Sequence, residues 1–193
     1  MCRARPPVRA RSTVEYLPSS FCGTTALTIW KVPSFEMLRR IPAHRSQVFG
    51  VDFSPDGTRL ATSSYDGTAK VWDVATGDRV FSLVGHQGPV TGVVFSPDGT
   101  RLATSGADNT ARLWDASTGR EVLTLSGSTA GMTSLAFSPD GTRLAVSVGD
   151  GTVRIYVLPI DQLVKIARTR LTRGWTAAEC RQYLHVATCP APA

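Results

Sequence analysis

The chain contains one nine-residue string, F-S-P-D-G-T-R-L-A, three times without a change, at residues 53–61, 95–103 and 137–145. Successive copies are 42 residues apart, so most of the chain is one unit repeated in tandem. A period of this length is typical of repeat architectures, in which each unit buries its apolar face against the next unit. The repeat therefore predicts an array of small stacked units.

Short apolar runs separated by turn residues fill each copy. Examples are residues 90–95, 101–105, 111–115 and 121–125, which are rich in Val, Leu and Thr. Runs of about five such residues predict strands. In the repeated S-P-D-G sequence, proline suits the second position of a type I turn and glycine accepts the conformation that follows. Each full copy therefore predicts four antiparallel strands joined by three hairpins.

Three landmarks in these copies resemble the WD-repeat β-propeller family. They are a Gly-His step (Gly85-His86), the S-P-D-G turn, and a Trp-Asp pair that closes the third strand (Trp72-Asp73 and Trp114-Asp115). The resemblance implies an all-β fold, a partial β-propeller of about three and a half four-stranded antiparallel blades, with partners that dock on its rim and faces. A seven-bladed ring at this period needs about 290 residues, so we do not expect these 193 residues to close one.

The resemblance also implies a buried hydrogen-bond network in each blade, formed by a histidine, a strand hydroxyl, an aspartate and a tryptophan. Carried over by position, the members are His44, Thr62, Asp66 and Trp72 in one copy and His86, Thr104, Asp108 and Trp114 in the next. A histidine, an aspartate and a hydroxyl also suggest nucleophilic catalysis. However, catalysis needs one site, whereas this set recurs in successive repeats. We therefore interpret these residues as structural and predict no catalytic residue, no metal and no cofactor.

The third copy departs from this pattern, because Ser128, Val146 and Tyr156 replace the histidine, the threonine and the tryptophan. We expect this blade to be held by apolar packing of Leu135, Phe137, Leu144, Val146 and Ile155. No fourth strand follows residues 153–157, so an apolar edge is open to self-association. Three explanations account for a chain too short for the usual ring: it forms an open or smaller array, several chains assemble together, or it is one end of a longer parent protein. We favour the last.

The chain divides into three regions by composition. Residues 1–20 are a basic arm that we expect to be disordered, residues 21–157 hold the blades, and residues 158–193 form a C-terminal extension. The blade units are residues 21–43 (partial), 44–85, 86–127 and 128–157. Residues 44–157 carry nine basic and eleven acidic side chains, so the net charge of +6 comes from the ends. Binding of nucleic acid or another acidic surface through these basic ends is an alternative function.

The extension after residue 158 predicts a short helical pair. Asp161 caps the first helix, and Thr176 with Glu179 forms a capping box for the second. The string L-T-R-G-W-T-A-A-E-C-R-Q-Y-L-H, followed by C-P, is similar to the closing segment of bacterial WD-repeat proteins that are joined to signalling kinases or regulatory NTPases. Cys180 and Cys189 suggest a disulfide or two buried thiols rather than a zinc site, because with one nearby histidine they offer three ligands.

We interpret the chain as a non-catalytic protein–protein interaction scaffold that serves a bacterial signalling or regulatory assembly. The candidate partner-binding residues precede the network aspartates or follow the histidines, namely Tyr65, Ala107, Gly149, Arg45 and Gln87. Tyr65 leads this group because an exposed aromatic side chain is a typical interface anchor. A propeller-based enzyme is a further alternative, although nothing supplies a unique nucleophile or cofactor site.

Two absences in the sequence bear on location. The chain has no run of about 20 apolar residues that would span a membrane, and the arginine-rich start has no apolar core of a secretory signal. Four cysteines without a regular spacing do not suggest a disulfide framework. We therefore expect a cytoplasmic protein.

Overall fold

Strands make up all of the regular secondary structure in the part of the chain that the computed structural model describes, residues 15–19, 25–32, 34 and 36–158. In chain order the strands are β1 (Glu15–Ser19), β2 (Ala26–Val32), β3 (Glu36–Pro42), β4 (Val48–Phe53), β5 (Arg59–Ser64), β6 (Thr68–Asp73), β7 (Arg79–Val84), β8 (Val90–Phe95), β9 (Arg101–Gly106), β10 (Ala111–Asp115), β11 (Glu121–Leu125), β12 (Met132–Phe137), β13 (Arg143–Val148) and β14 (Val153–Val157). The predicted all-β fold is confirmed.

The strands form four antiparallel sheets in which neighbours in sequence are neighbours in space. We call them blade 1 (β1-β2-β3), blade 2 (β4 to β7), blade 3 (β8 to β11) and blade 4 (β12-β13-β14). The fold is a partial β-propeller with two four-stranded and two three-stranded blades among the described residues. The chain separates into the units Met1–Tyr156 and Val157–Ala193. The predicted helical pair and the cysteines Cys180 and Cys189 lie outside the described residues.

Strand β1 corrects the expected extent of the disordered arm. It covers Glu15–Ser19, within the residues assigned to the arm, and it pairs with β2 so that Leu17 lies opposite Trp30. The first unit therefore has three strands among the described residues. The sequence signal is weak because Pro18 has no N–H and is unfavourable in most strands, but an edge strand such as β1 tolerates it.

The repeated S-P-D-G-T sequence forms the same turn each time. The Ser54 hydroxyl donates to Oδ1 of Asp56 at 2.6 Å, and the Thr58 N–H donates to the same oxygen at 3.0 Å. Gly57 has a φ of 73°, a left-handed conformation that glycine adopts without strain. The bond from Ser54, followed by that from the Thr58 main chain, lowers the pKa of Asp56 below its usual range.

The core lies between the blades. Leu27 and Ile29 of blade 1 pack with Leu60 and Trp72 of blade 2. Blades 2 and 3 are joined in the same way, through a second cluster that includes Val71, Leu83, Val93, Leu102 and Trp114. The innermost strands β4, β8 and β12 lie side by side. Each blade thus depends on its neighbours to bury its two faces.

The hairpins place the connecting loops at two opposite ends of each blade. Residues 43–47 and the β5–β6 turn at residues 65–67 lie at one end of blade 2, and residues 85–89 and 107–109 lie at the same end of blade 3. We call this the histidine end. The S-P-D-G turns lie at the other end, because each of them follows the innermost strand.

Candidate functional site

A chain of hydrogen bonds crosses blade 2 from its interior to the histidine end. Trp72 on β6 donates from Nε1 to Oγ1 of Thr62 on β5 at 2.9 Å. The same oxygen lies 2.8 Å from Nε2 of His44, which precedes β4. Nδ1 of His44 lies 3.0 Å from Oδ2 of Asp66 in the β5–β6 turn. The structure thus brings together all four residues that sequence position assigns to this network.

The protons of this chain have one consistent arrangement. An indole N–H only donates, so Thr62 accepts from Trp72 and gives its own proton to Nε2 of His44. The proton of a neutral His44 ring then lies on Nδ1 and is donated to Asp66. Burial lowers the pKa of His44, and this effect outweighs the opposing influence of Asp66. The histidine is therefore neutral and ordered.

Asp66 is the anchor of the turn as well as of the histidine. Thr68 donates to Oδ1 from its hydroxyl at 2.6 Å and from its main chain at 3.1 Å, and the Arg45 N–H donates to Oδ2 at 3.0 Å. Burial by itself raises the pKa of Asp66, but the bonds from Thr68, Arg45 and His44 outweigh it and lower the pKa to about 2. Thr68 is not among the predicted network residues. Its signal is the recurrence of a threonine two residues after each network aspartate, at 68, 110 and 152.

Blade 3 repeats this geometry. Trp114 donates to Thr104 at 2.9 Å, Thr104 lies 2.8 Å from Nε2 of His86, and Nδ1 of His86 lies 3.0 Å from both carboxylate oxygens of Asp108. The Gln87 N–H donates to Asp108 at 2.9 Å, as that of Arg45 does to Asp66. The pKa of Asp108 is also about 2, because its hydrogen bonds outweigh the effect of burial. The two networks are equivalent in space as well as in sequence.

The Thr-His-Asp arrangement resembles a nucleophilic triad in distance but not in access. Thr62 and Thr104 are completely buried in their blades, and each hydroxyl oxygen already accepts an indole N–H. A substrate carbonyl cannot reach such an oxygen. Over the described residues, no group of three or more His, Cys, Asp or Glu side chains has the spacing of a metal site. The networks hold the loops of the histidine end in place.

Blade 4 lacks the network, as its sequence indicates. The Ser128 hydroxyl donates to the carbonyl of Ala130 at 2.8 Å, and Val146 is fully buried where blades 2 and 3 have threonine. The Tyr156 hydroxyl is buried without a hydrogen-bond partner among the described residues. Asp150 still accepts from Thr152 at the turn, at 2.6 and 2.9 Å. Only the turn-forming half of the network is left.

The predicted contact residues are exposed at the histidine end. Tyr65 is 57% exposed and Phe49 on β4 is 41% exposed, and their ring centroids are 6.0 Å apart. Phe49 is not among the predicted residues, because the prediction takes only direct neighbours of the network residues, such as Tyr65 beside Asp66, and Phe49 is not one of these. The remaining candidates are also exposed, namely Arg45, Gln87, Ala107 and Gly149.

Comparison with known proteins agrees with this geometry. The family described as WD domain, G-beta repeat matches residues 35–73, 77–115 and 119–156, which is more than half of the chain. Protein hir1 of Schizosaccharomyces pombe is 45% identical over 47 residues, which is 24% of this chain and 5% of that protein. The chain therefore spans a small fraction of this relative. Within the described ranges, no helix is long and apolar enough to cross a membrane.

Proposed function

Because the chain belongs to the WD-repeat family, we propose that it is a non-catalytic scaffold that binds protein partners at its histidine end. The observation that carries this proposal is the exposed Tyr65 beside two rigid, buried networks. More specifically, we propose that the protein works in the cytoplasm, as part of a bacterial signalling or regulatory assembly. It is supported by the similarity of residues 171–190 to the closing segment of bacterial WD-repeat proteins.

Blade 2 differs from its sister blades at the positions that face a partner. Thr91 in blade 3 and Thr133 in blade 4 replace Phe49, and Ala107 and Gly149 replace Tyr65. Blades 3 and 4 form the same strands and turns around these positions, so folding does not require an aromatic side chain at either place. An aromatic pair that the fold does not need is typical of a binding surface.

The platform beneath the aromatic pair is preorganised. The Tyr65 N–H donates to the carbonyl of Gln47 at 2.9 Å, and the next residue, Asp66, is held by His44, Arg45 and Thr68. A loop that is already ordered loses little conformational entropy on binding. Tyr65 therefore acts as a fixed anchor.

The charge around this pair favours a partner with an acidic group. The Arg45 side chain is exposed, while the carboxylate of Asp66 is already engaged by hydrogen bonds from four described donors. A partner that complements this surface therefore has a large apolar side chain next to an Asp or Glu residue. Complementary charge of this kind mainly sets specificity and the rate of association.

A peptide selection tests this function with a defined probe. A random peptide library is panned against the immobilised 193-residue chain, and the affinities of enriched peptides are measured by calorimetry. We expect enriched peptides to pair an apolar anchor with an acidic residue, and Tyr65→Ala to weaken their binding about tenfold or more. Arg45→Ala is expected to reduce the salt dependence of binding.

Val80→Ala is the matched control, since Val80 is an exposed apolar residue on β7 of the same blade. It is expected to leave the affinities unchanged. Equal affinities for the wild type and Tyr65→Ala would show that binding does not use this surface.

A further inference from the structure

One face of blade 4 is bare although the equivalent faces of the other blades are buried. Val153 and Ile155 on β14 are 65% and 66% exposed. Val71 and Leu113, which have the position of Ile155 in blades 2 and 3, are 0% and 3% exposed. This finding corrects the expectation that Ile155 packs inside its blade. The side chain belongs to a surface that lies between blades.

The chain itself shows what covers such a face. The corresponding face of blade 2 is buried by Val93, Phe95 and Leu102 of blade 3. The Arg59 guanidinium crosses the same boundary and donates to the carbonyl of Ala116 at 2.6 Å. Arg143 has the position of Arg59 in blade 4, and its side chain is exposed. Both the apolar and the polar features of this face therefore match a further blade.

A complementary face, which is partly exposed, lies at the other end of the array, on blade 1. Trp72 of blade 2 packs against Leu27 and Ile29 of blade 1. On the same strand as Trp72, the Lys70 ammonium donates to the carbonyl of Ala43, the residue that follows β3, at 2.7 Å. Thr28 and Trp30 have the same positions on β2. Trp30 is only half-buried, whereas Trp72 is buried. One chain therefore carries both halves of a blade-to-blade contact.

We propose that blade 4 of one copy stacks on blade 1 of a second copy, head to tail, in the arrangement that joins neighbouring blades within the chain. A head-to-tail contact produces a closed ring when its rotation returns to the start. Two copies contribute eight blades, which is within the range of closed propellers. The stacking buries Val153 and Ile155 of each copy.

Measurement of mass in solution tests the proposal on the 193-residue chain. Light scattering over a range of concentrations is expected to give twice the 20.7 kDa chain mass for the wild type. Ile155→Glu is expected to give the single-chain mass, with an unchanged circular dichroism spectrum. Val122→Glu is the control, because Val122 on β11 is similarly exposed, at 62%, but lies away from this face. It is expected to keep the double mass.

Complementation tests the head-to-tail direction. Ile155→Glu places a charge on the contact face of blade 4, and Thr28→Glu places a charge on the contact face of blade 1. Each variant alone is expected to have the single-chain mass, while their mixture recovers the double mass through its one intact contact. A double mass for Thr28→Glu alone would mean that two blade 4 faces pair with each other. Failure of the mixture to associate would mean that the blade 4 face does not meet the blade 1 face, and either result would overturn the proposal.

Two other ways of covering the exposed face of blade 4 would give distinct results, and each of them would overturn the proposal. A single-chain mass together with slow hydrogen exchange in β14 would mean that residues 159–193 of the same chain cover the face. A single-chain mass with fast exchange in β14 would leave the face to a different protein. An unchanged mass for Ile155→Glu would place the contact elsewhere.

Discussion

The indole N–H of Trp72 and the hydroxyl of Thr62 form a 2.9 Å hydrogen bond, and Trp114 and Thr104 form one of the same length 42 residues later. The threonine is the central link of each network. It accepts from tryptophan and donates to histidine, whose other nitrogen binds the aspartate of the turn. The order of the histidine end therefore depends on a hydroxyl inside the blade.

Removal of that hydroxyl is expected to destabilise the blade. Thr62→Val keeps the shape of the side chain but leaves Nε1 of Trp72 and Nε2 of His44 buried without their partner. Unsatisfied groups of this kind cost about 1–3 kcal/mol each, so we expect the two together to lower the free energy of unfolding, measured with urea, by about 2–6 kcal/mol. The equivalent substitution in blade 3, Thr104→Val, is expected to lower the free energy of unfolding by a similar amount.

The control for this pair is Thr133→Val, since Thr133 is exposed on β12. Exposed substitutions usually change stability by less than about 0.5 kcal/mol. Equal losses of unfolding free energy for Thr62→Val and Thr133→Val would mean that the network contributes no more to stability than an exposed threonine does.

Stability is expected to fall in two steps as the pH is lowered. Burial lowers the pKa values of His44 and His86 from the ordinary 6.5, so the unfolded chain takes up these protons first. The free energy of unfolding therefore declines below pH 6.5. Asp66 and Asp108 have folded pKa values of about 2 instead of 3.8, because their hydrogen bonds outweigh burial. A second decline therefore follows below pH 3.8.

Urea unfolding at a series of pH values measures both steps. The double variant His44→Asn with His86→Asn is expected to be less stable at pH 8 and to lack the step below pH 6.5. A step of unchanged size in this variant would assign it to other groups.

Blade 4 offers a test of whether the network acts as a unit. Ser128→His, Val146→Thr and Tyr156→Trp restore the missing members beside Asp150, which is already in place. Each change alone adds a polar group that lacks at least one of its partners, whereas the triple variant supplies all of them together. We expect the triple variant to exceed the sum of the single changes by about 0.5–3 kcal/mol in unfolding free energy. Additive effects would mean that the residues act independently.

The contact surface of blade 2 is expected to be transferable to blade 3. The Ala107 N–H donates to the carbonyl of Pro89 at 2.9 Å, as that of Tyr65 does to Gln47, so both turns present their side chains alike. Ala107→Tyr with Gln87→Arg is expected to create a second, weaker site for peptides selected on the wild type. Calorimetry is then expected to show two peptides bound per chain.

Thr91 is kept in this variant because its hydroxyl donates to the main chain of Met132 in blade 4. The control is Ala107→Ser, which adds no aromatic ring and is expected to bind one peptide per chain. A stoichiometry of one for the double variant would contradict the view that the aromatic and basic side chains define the site.

Much of the fold follows from local sequence. The bounds of β10 and β11 agree with the predicted runs at residues 111–115 and 121–125, because alternating apolar residues and tight turns define a strand without distant partners. Strand β1 does not follow from such signals, since Pro18 obscures it and its pairing with β2 decides its conformation. The Phe49–Tyr65 pair likewise depends on the approach of two strands.

The sequence by itself determined the repeat, the turns and the members of each hydrogen-bond network, because these depend on residue type at a fixed spacing of 42. The tertiary structure decided which faces of the blades are buried. Val71 and Ile155 share one position in the repeat and are equally apolar, yet one is enclosed and the other is exposed. The physical reason is that burial is conferred by the neighbouring blade, which the repeat sequence does not specify.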